Sequence, residues 1–370
     1  MRELKRFYPI TIVSVLLTML WTLLAPMACT NNNKVEAVVT WNPIALEILD
    51  QVPQAKVIFD SSKIPNEILD ITFLRTDVVE KNPELAMALA GAWYETLALM
   101  QGDGPEATKA LTAMAEKSGT SLDSYKRQLK TTYMYWKPAD AAGFARSKKL
   151  IEVMDLVRKF SFENGLWQDA KSVDTVGIQF PDGTVLGDKG NVKLRFTDKY
   201  MEVPTWRTVT GPKKHFVIAN SIYVGWMALF YAAESSGILK KWGDRFNAEI
   251  EVVQMDYMPS VEAYVAGKVD GVLMTNMEAL NMAAVAGVDT TGVIIGDYSN
   301  GNDMVIVTGN FKQVSDLKGK NVYIVELSVS DYLLTRGLQT EGRGVTRKDL
   351  KLMNTSDADI GPLFISANSR

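Results

Sequence analysis

A repeated alternation of strand-like and helix-like segments over residues 215–366 constrains the fold of this chain more than any other feature. It begins with an apolar run from Phe216 to Ala219, which predicts a buried strand, followed by a turn and an amphipathic helix over about 226–242. Further strands, turns and helices follow at short intervals, which is typical of βαβ units in an open, mostly parallel sheet. Ligands of such sheets bind where strands end and helices begin, so we expect binding residues in these turns.

The preceding residues continue the α/β pattern. Val35 to Thr40 predicts a strand, and the Trp-Asn-Pro turn at 41–43 opens a helix through about residue 51. Strand-like segments follow at 55–62 and 69–79, and helices are predicted over 82–100 and onward to about residue 162. A hairpin is predicted within 173–200 around a Pro-Asp-Gly turn, and the turn-rich stretch 202–214 is typical of a linker.

Length favours two lobes or domains, and composition favours binding of a ligand over metal chemistry or nucleic-acid recognition. The 370 residues exceed what one compact core usually holds. A net charge of −3 offers no basic surface to nucleic acid, and one histidine excludes a multi-histidine metal site. The single cysteine excludes an internal disulfide. No nucleophile–base pair has a recognisable spacing, so we expect no catalytic residues, no metal and no cofactor.

Residues 1–29 predict an export segment. A basic start precedes an apolar run from about Ile10 to Ala28, and the run ends at Cys29 as a bacterial lipoprotein signal does. Pro26 stands where such signals usually carry leucine, so lipidation of Cys29, an uncleaved membrane anchor and ordinary secretion all remain open. Each alternative predicts a periplasmic or otherwise extracytoplasmic protein.

Several long segments resemble one family of proteins. The segments are SIYVGWM at 221–227, AGKVDGVLMTNMEAL at 266–280, GDYSNGND at 296–303, DLKGKNVYIVELSVSDYLL at 316–334 and NTSDADI at 354–360. Together they resemble the substrate-binding proteins of ABC importers, in the group that binds sulfonates, taurine, nitrate and thiamine precursors. The closest branch is the one encoded beside urea carboxylase. The segments VVTWNP, NPELAMALAGAWYETLALM and FPDGTVLGDKGNVKLRF resemble the same family's second half.

The two halves stand in exchanged order relative to that family, which predicts a circular permutation; a gene-model artefact is the competing explanation. The resemblance implies a two-lobed periplasmic binding protein, type II-like, with mostly parallel sheets, flanking helices and two crossover hinges near 60–70 and 297–303. Residues 76–200 with 215–303 would form lobe 1, and 34–68 with 304–366 lobe 2. Residues 201–214 would join the family's original termini. New ends in an exposed loop are physically tolerable.

The function implied by the resemblance is delivery of urea, guanidine or a related small nitrogen compound to an ABC transporter permease. The protein would be a monomer that closes about its hinges on the ligand, with its N-terminal segment or lipid at the membrane and no nucleic-acid partner. Two alternatives remain. One is an enzyme on the same scaffold, as in a related branch that makes a pyrimidine precursor. The other is a membrane-anchored sensory binding module.

The candidate ligand-binding residues are those that follow predicted strands and suit a flat, nitrogen-rich ligand. Guanidinium favours carboxylates and an aromatic face, whereas urea also needs donors for its carbonyl. Some candidates have a purely structural explanation: the rings at 223 and 226 as core, and the carboxylates at 278, 357 and 359 as helix caps. The candidates are Trp41, Asn42, Tyr223, Trp226, Asn276, Glu278, Asp303, Glu326, Ser328, Ser330, Asp331 and Asp357.

Overall fold

A computed structural model describes residues 35–167, 170–202, 210–326 and 328–369. These residues belong to one compact unit. The predicted export segment with Cys29, and residues 203–209 of the predicted linker, lie outside the described residues. None of the helices in the described ranges has the length and apolar character needed to cross a membrane.

The strands and helices alternate along most of the chain. The strands are β1 (Ala37–Trp41), β2 (Lys56–Asp60), β3 (Leu69–Arg75), β4 (Thr132–Met134), β5 (Gly177–Gln179), β6 (Val185–Leu186), β7 (Val192–Phe196), β8 (Lys214–Asn220), β9 (Ala248–Gln254), β10 (Gly271–Thr275), β11 (Thr290–Ser299), β12 (Asp303–Val307), β13 (Asn321–Ile324) and β14 (Lys351–Asn354). The helices are α1 (Ile44–Gln51), α2 (Thr76–Lys81), α3 (Pro83–Met100), α4 (Pro105–Lys117), α5 (Leu122–Leu129), α6 (Pro138–Ala145), α7 (Lys148–Glu163), α8 (Met227–Phe230), α9 (Ile238–Phe246), α10 (Tyr257–Val265), α11 (Asn276–Glu278), α12 (Val329–Glu341) and α13 (Asp357–Asn368).

A five-stranded sheet has the order β14-β13-β1-β12-β2. Its central strand β1 is buried along its whole length, because α12 packs against it and so do α1 and α13. A strand covered on both faces needs a continuous apolar run, and AVVTW supplies one. The antiparallel register of β1 and β12 places Trp41 opposite Asp303 at the end of the pair.

A larger, nine-stranded sheet has the order β6-β5-β7-β11-β3-β10-β8-β9, with β4 also paired to β11. The antiparallel register of β3 and β11 places Asp70 opposite Asp297. The chain passes from the five-stranded to the nine-stranded sheet between β2 and β3, and returns between β11 and β12. The carboxylates at 70, 297 and 303 therefore lie where the chain moves between the sheets.

The fold is α/β with two mixed sheets flanked by helices, which is compatible with a two-domain α/β fold. The prediction of mostly parallel sheets is wrong, because β12 is antiparallel to β1 and β2, and β3 is antiparallel to β10 and β11. Parallel neighbours need a long crossover connection. The short connections at 61–68 and 300–302 instead pass directly between the sheets, and the strands β3 and β12 that follow them run against their neighbours.

The predicted single helix over 226–242 is also wrong. The chain forms a 3-10 turn at Val224–Trp226, then α8, then a π-helical segment at Tyr231–Ser235, and only then α9. Gly237 separates the last two, with a φ of 70° that favours glycine. Ser236 Oγ accepts a hydrogen bond from the N–H of Ile238 at 3.2 Å, which begins α9 anew.

Two local predictions are confirmed. The helix predicted over 82–100 is α3, which begins at Pro83. The hairpin predicted within 173–200 is the antiparallel pair β5–β6, in which the N–H of Phe180 donates to the carbonyl of Thr184 at 2.9 Å. Proline at the first position of a helix and a Pro-Asp-Gly turn act through local backbone geometry, so they can be recognised without knowledge of the tertiary fold.

Candidate functional site

A cavity of about 40 Å³, measured as the space open to the centre of a water molecule, is lined by residues from both sheets. A cavity of this size holds only a few water molecules, so it suits a ligand of a few heavy atoms. The pocket combines aromatic rings, carboxyl groups and small polar side chains. Its lining residues are Trp41, Ile68, Asp70, Tyr223, Trp226, Tyr257, Thr275, Ser299, Asn302, Asp303 and Val329.

Four aromatic side chains form the walls of the pocket. Trp41, at the end of β1, meets Tyr223 edge to face, with 6.1 Å between the ring centroids and 77° between the planes. Tyr223 also contacts Trp226 at 5.0 Å and Tyr257 at 5.6 Å. The first ring comes from the five-stranded sheet, and the others follow strands β8 and β9 of the nine-stranded sheet. Such a cluster presents several ring surfaces to a flat or cationic ligand.

Two carboxyl groups line the pocket directly, and two more lie behind it. Asp70 and Asp303 are lining residues, and Asp303 is 3% exposed. Asp297 and Glu278 are both 0% exposed. No lysine, arginine or histidine lines the pocket within the described part of the chain. An acidic pocket without a basic partner is costly for the protein unless protons or a bound cation neutralise it.

Asp70 and Asp297 form a pair across strands β3 and β11. Burial raises the pKa of Asp70 to about 6, the Asp297 carboxyl and the Trp226 indole N–H lower it again, and the charge of Glu278 raises it. Burial, with the charge of Asp70, raises the pKa of Asp297 well above its ordinary value. Neither Asp297 oxygen nor Trp226 Nε1 has a partner of good hydrogen-bond geometry among the described residues, although both groups lie close enough to Asp70 to influence it.

Asp303 is held at the start of β12 by two serines. Ser299 Oγ donates a hydrogen bond to Asp303 Oδ2, and Ser299 Oγ lies 2.6 Å from Ser61 Oγ. Burial raises the pKa of Asp303 to about 7; the Ser299 hydrogen bond opposes this rise, and the charges of Asp70 and Glu278 add to it. The carboxyl is therefore partly protonated near neutral pH when no ligand is bound.

Glu278 lies behind the pocket and supports two lining residues. Its Oε2 accepts hydrogen bonds from Tyr257 Oη, at 2.8 Å, and from Thr275 Oγ1. Burial raises the pKa of this carboxyl, and both hydrogen bonds oppose the rise. Glu278 thus contributes charge and orientation to the pocket without lining it.

Of the predicted residues, four line the pocket and several others have structural roles. Trp41, Tyr223, Trp226 and Asp303 are lining residues. Asn42 Oδ1 accepts from the N–H of Leu46 at the start of α1, and its Nδ2 donates to Thr131 Oγ1. Asn276 Oδ1 accepts from the N–H of Leu69, and its Nδ2 donates to the carbonyl of Glu67. Both asparagines therefore hold in place turns that lie next to pocket-lining residues.

The predicted residues around the start of α12 also make structural contacts. Ser328 Oγ accepts from the N–H of Ser330 at the helix start, and Ser330 Oγ donates to the carbonyl of Val39. Asp331 forms an ion pair with Arg347 through two contacts of 2.5 and 2.7 Å. The N–H of Glu326 donates to Asn354 Oδ1. This group joins α12 to its neighbours rather than lining the pocket.

The carboxylates at the start of α13 separate into two roles. Ser356 caps this helix by accepting from the N–H of Asp359, and Asp359 Oδ2 accepts from Ser356 Oγ at 2.6 Å. Asp357 lies near the pocket instead: burial raises the pKa of Tyr223, and the charge of Asp357 is the next largest contribution. Asp357 therefore adds negative potential beside the aromatic wall.

Sequence reasoning missed several lining residues, of which Asp70 matters most. Asp70 is the only acidic residue of strand LDITFLR, whose other charged residue, Arg75, ends the strand, and a carboxyl group within a mostly buried strand is a usable signal. Tyr257 begins α10 directly after a strand and could have been found by the same rule as Tyr223. The missed lining residues are Ile68, Asp70, Tyr257, Thr275, Ser299, Asn302 and Val329.

No group of three or more His, Cys, Asp or Glu in the described ranges has the arrangement of a metal site. No protein-family model matches the chain, and no curated protein is significantly similar to it. The chemistry of the pocket therefore carries the functional argument.

Proposed function

We propose that this chain is an extracytoplasmic solute-binding protein that captures guanidine, or a closely related cationic nitrogen compound, for an ABC importer. The observation that carries this proposal is the composition of the pocket: aromatic walls, Asp70 and Asp303 on its surface, and no basic residue among its described lining. The resemblance of the sequence to ABC-importer substrate-binding proteins supplies the class of protein.

A cation suits this pocket better than neutral urea does. Guanidinium is planar, and its N–H donors can meet carboxylate oxygens in parallel hydrogen bonds. Its faces can lie against Trp41 or Trp226, and a desolvated cation–π contact contributes about 2 kcal/mol. Urea can satisfy the carboxyl oxygens only while leaving their charge uncompensated, and buried charge without a counter-charge is unfavourable.

The two short connections between the sheets suit a hinge. In the proposed mechanism the parts that carry the two sheets close about residues 61–68 and 300–302, and the closed form is presented to the permease. The proposal includes a monomeric protein, circularly permuted relative to the family, with residues 201–214 joining the former termini. Its N-terminal segment or a lipid on Cys29 would hold it at the membrane.

Isothermal titration calorimetry of the purified chain tests the proposal. Guanidinium and methylguanidinium are expected to bind saturably, and urea at least tenfold more weakly. Asp303→Asn is expected to weaken guanidinium binding at least tenfold, which corresponds to about 1.4 kcal/mol. The exposed Asp103→Asn is the matched control and should leave the affinity unchanged.

Two results would contradict the proposal. One is a folded protein that binds none of these cations. The other is equal affinity for urea and guanidinium, because the pocket would then not be recognising charge.

An enzyme on the same scaffold is a second candidate, favoured by one observation. Asp70 and Asp297 are adjacent carboxyl groups with raised pKa values, and such pairs serve as general acid and base in some enzymes. Incubating the protein with each ligand that binds, followed by product analysis, separates the two functions. Turnover of a bound ligand would favour the enzyme, and recovery of unchanged ligand would favour transport.

A further inference from the structure

We propose that the Asp70–Asp297 pair exchanges a bound proton for the positive charge of the ligand, so that capture of the cation releases a proton to solvent. This inference rests on the proposed function, and it concerns how that function is regulated by pH. The structural basis is the placement of one carboxyl at the pocket surface and a second directly behind it.

The register of the strands makes the two carboxyl groups neighbours. Asp70 lies opposite Asp297 in the antiparallel pair β3–β11, and a register irregularity falls between Ile295 and Asp297. Gly225 leaves the space in which the Asp297 carboxyl lies, because a Cβ at this position would come within 2.2 Å of Asp297 Oδ2. Asp297 is 0% exposed, so solvent does not screen its charge.

The surroundings of the pair lack a compensating cation. The titratable groups that interact with the charges of the pair are Glu278 on α11, Asp303 on β12, Tyr125 on α5, Tyr135 after β4, Tyr223 after β8 and Tyr257 on α10. All of these are acids or phenols, and no basic side chain is among the groups that shift the pKa of Asp70 or of Asp297 in the described structure. Two adjacent buried carboxyl groups without a counter-charge cannot both ionise, so the empty pocket retains a proton.

A second observation concerns the pocket wall beside the pair. Trp226 is 2% exposed and lines the pocket, yet its Nε1 has no hydrogen-bond partner among the described residues. Behind the pocket, both Asp297 oxygens are likewise unpartnered in that set. Buried polar groups are normally hydrogen-bonded, so the Trp226 N–H is a donor that a ligand in the pocket can use.

The exchange of a proton for the cation follows from the balance of charge in the pocket. In the empty pocket the pair holds one proton and carries one negative charge. A cation that contacts Asp70 stabilises a second negative charge on the pair. The second carboxyl group therefore ionises, and its proton leaves to solvent. Proton and ligand compete, so the affinity for the cation rises with pH by up to about tenfold per pH unit where one proton is displaced.

Calorimetry near pH 6, the pKa of Asp70, counts the released protons. The full chain is titrated with guanidinium chloride in two buffers that differ in ionisation enthalpy. Asp303 also lines the pocket and holds a proton at this pH, so the proton that it releases is common to both proteins. The wild type is expected to release at least half a proton more per bound cation than Asp297→Asn does. The affinity of the wild type should also rise more steeply with pH than that of Asp297→Asn, by about threefold per pH unit. Asp103→Asn is the exposed control and should behave as the wild type.

Infrared spectroscopy of the ligand-free protein tests the shared proton independently of binding. The band of protonated carboxyl groups is expected near pH 6 in the wild type and should weaken in Asp297→Asn. Asp70→Asn removes the other member of the pair and should weaken the same band, which provides a second variant where the first does not fold.

The outcomes separate the two proposals. Guanidinium binding with equal proton release in wild type and Asp297→Asn overturns the exchange and leaves the proposed function standing. An unchanged infrared band in both variants likewise overturns the exchange. Absence of guanidinium binding by the folded wild type at every pH contradicts the proposed function and the exchange together.

Discussion

Trp41 is the aromatic wall that the five-stranded sheet contributes to the pocket. Its ring is 6% exposed and meets Tyr223 across the pocket. Trp41→Ala is expected to weaken guanidinium binding by about tenfold, because it removes a ring face of the kind that stabilises cations. Trp41→Phe retains a ring and should lose less. Calorimetry measures both affinities, and an unchanged affinity in Trp41→Ala would show that the ligand does not contact this wall.

Protonation of one carboxyl group, that of Asp303, makes the stability of the ligand-free protein depend on pH. Asp303 has a pKa of about 7 in the fold, raised by burial from an ordinary value of 3.8. The folded state therefore holds a proton that the unfolded state releases, and this contribution to stability is present below pH 4 and lost as the pH rises to about 7.

Thermal unfolding without ligand measures this dependence. Between pH 4.5 and 7.5 the difference in Tm between Asp303→Asn and wild type should shift in favour of the variant by roughly 2 °C or more as the pH increases. Parallel pH profiles would contradict the assignment. Heat is the suitable denaturant because urea and guanidinium are both candidate ligands.

Pocket-lining residues were predictable from the sequence where the local strand and turn pattern alone determines their position. Trp41 ends β1, and Tyr223 and Trp226 lie in the turn after β8, so the rule that ligands bind at strand ends selected three residues that line the pocket. Asp70 gains its role from Asp297, which is more than two hundred residues away and becomes its neighbour only through the β3–β11 register. In the sequence, Asp297 is only the first residue of the predicted crossover hinge near 297–303. Long-range register cannot be derived from local pattern.

The turn at Val224–Trp226 shows how an element positions the site. Gly225 lies against the Asp297 carboxyl, and a Cβ there would come within 2.7 Å of the carboxyl carbon. Gly225→Ala is expected to destabilise the protein by about 1–3 kcal/mol, as overpacking of a filled interior does.

Thermal unfolding compares this variant with Gly143→Ala. Gly143 lies in α6, and nothing would lie within 4 Å of an added Cβ there. Gly143→Ala should be neutral or stabilising, since alanine is the better helix former. Equal Tm values for the two variants would contradict the close approach at Gly225.

Most of the strands and helices were predictable from the sequence, and each wrong prediction has a physical reason. Most predicted strands occur because apolar runs between turn residues suit buried strands. The helix over 226–242 was predicted too long, because its amphipathic pattern continues across Gly237 while its backbone does not. The direction of strand pairing was also wrong, since it depends on which connections pass between the sheets.

At the scale of the whole molecule, an exposed ion pair connects the parts that carry the two sheets. Arg127 on α5 binds Asp50 on α1 through two hydrogen bonds of 2.9 Å. Helix α5 packs near β4 of the nine-stranded sheet, and α1 packs against β1 of the five-stranded sheet. Both side chains are about half exposed, so the pair contributes at most about 1 kcal/mol.

If closure traps the ligand, Arg127→Ala should accelerate its dissociation by roughly two- to fivefold at low salt. The difference should diminish at high salt, where the pair is screened. Arg146→Ala removes a comparable exposed pair with Asp198 and is the control. Stopped-flow fluorescence of the pocket tryptophans measures both rates. Identical rates in both variants would indicate that this pair does not hold a closed form.

In the proposed complex, a small cation binds between Trp41 and Trp226 against Asp70 and Asp303. A crystal structure of the protein with guanidinium, at a concentration that calorimetry shows to be saturating, tests this complex. We expect a planar ligand in this pocket, with N–H groups within hydrogen-bond distance of both carboxyl groups. A saturated protein whose pocket is empty, with the ligand bound on another surface, would contradict it.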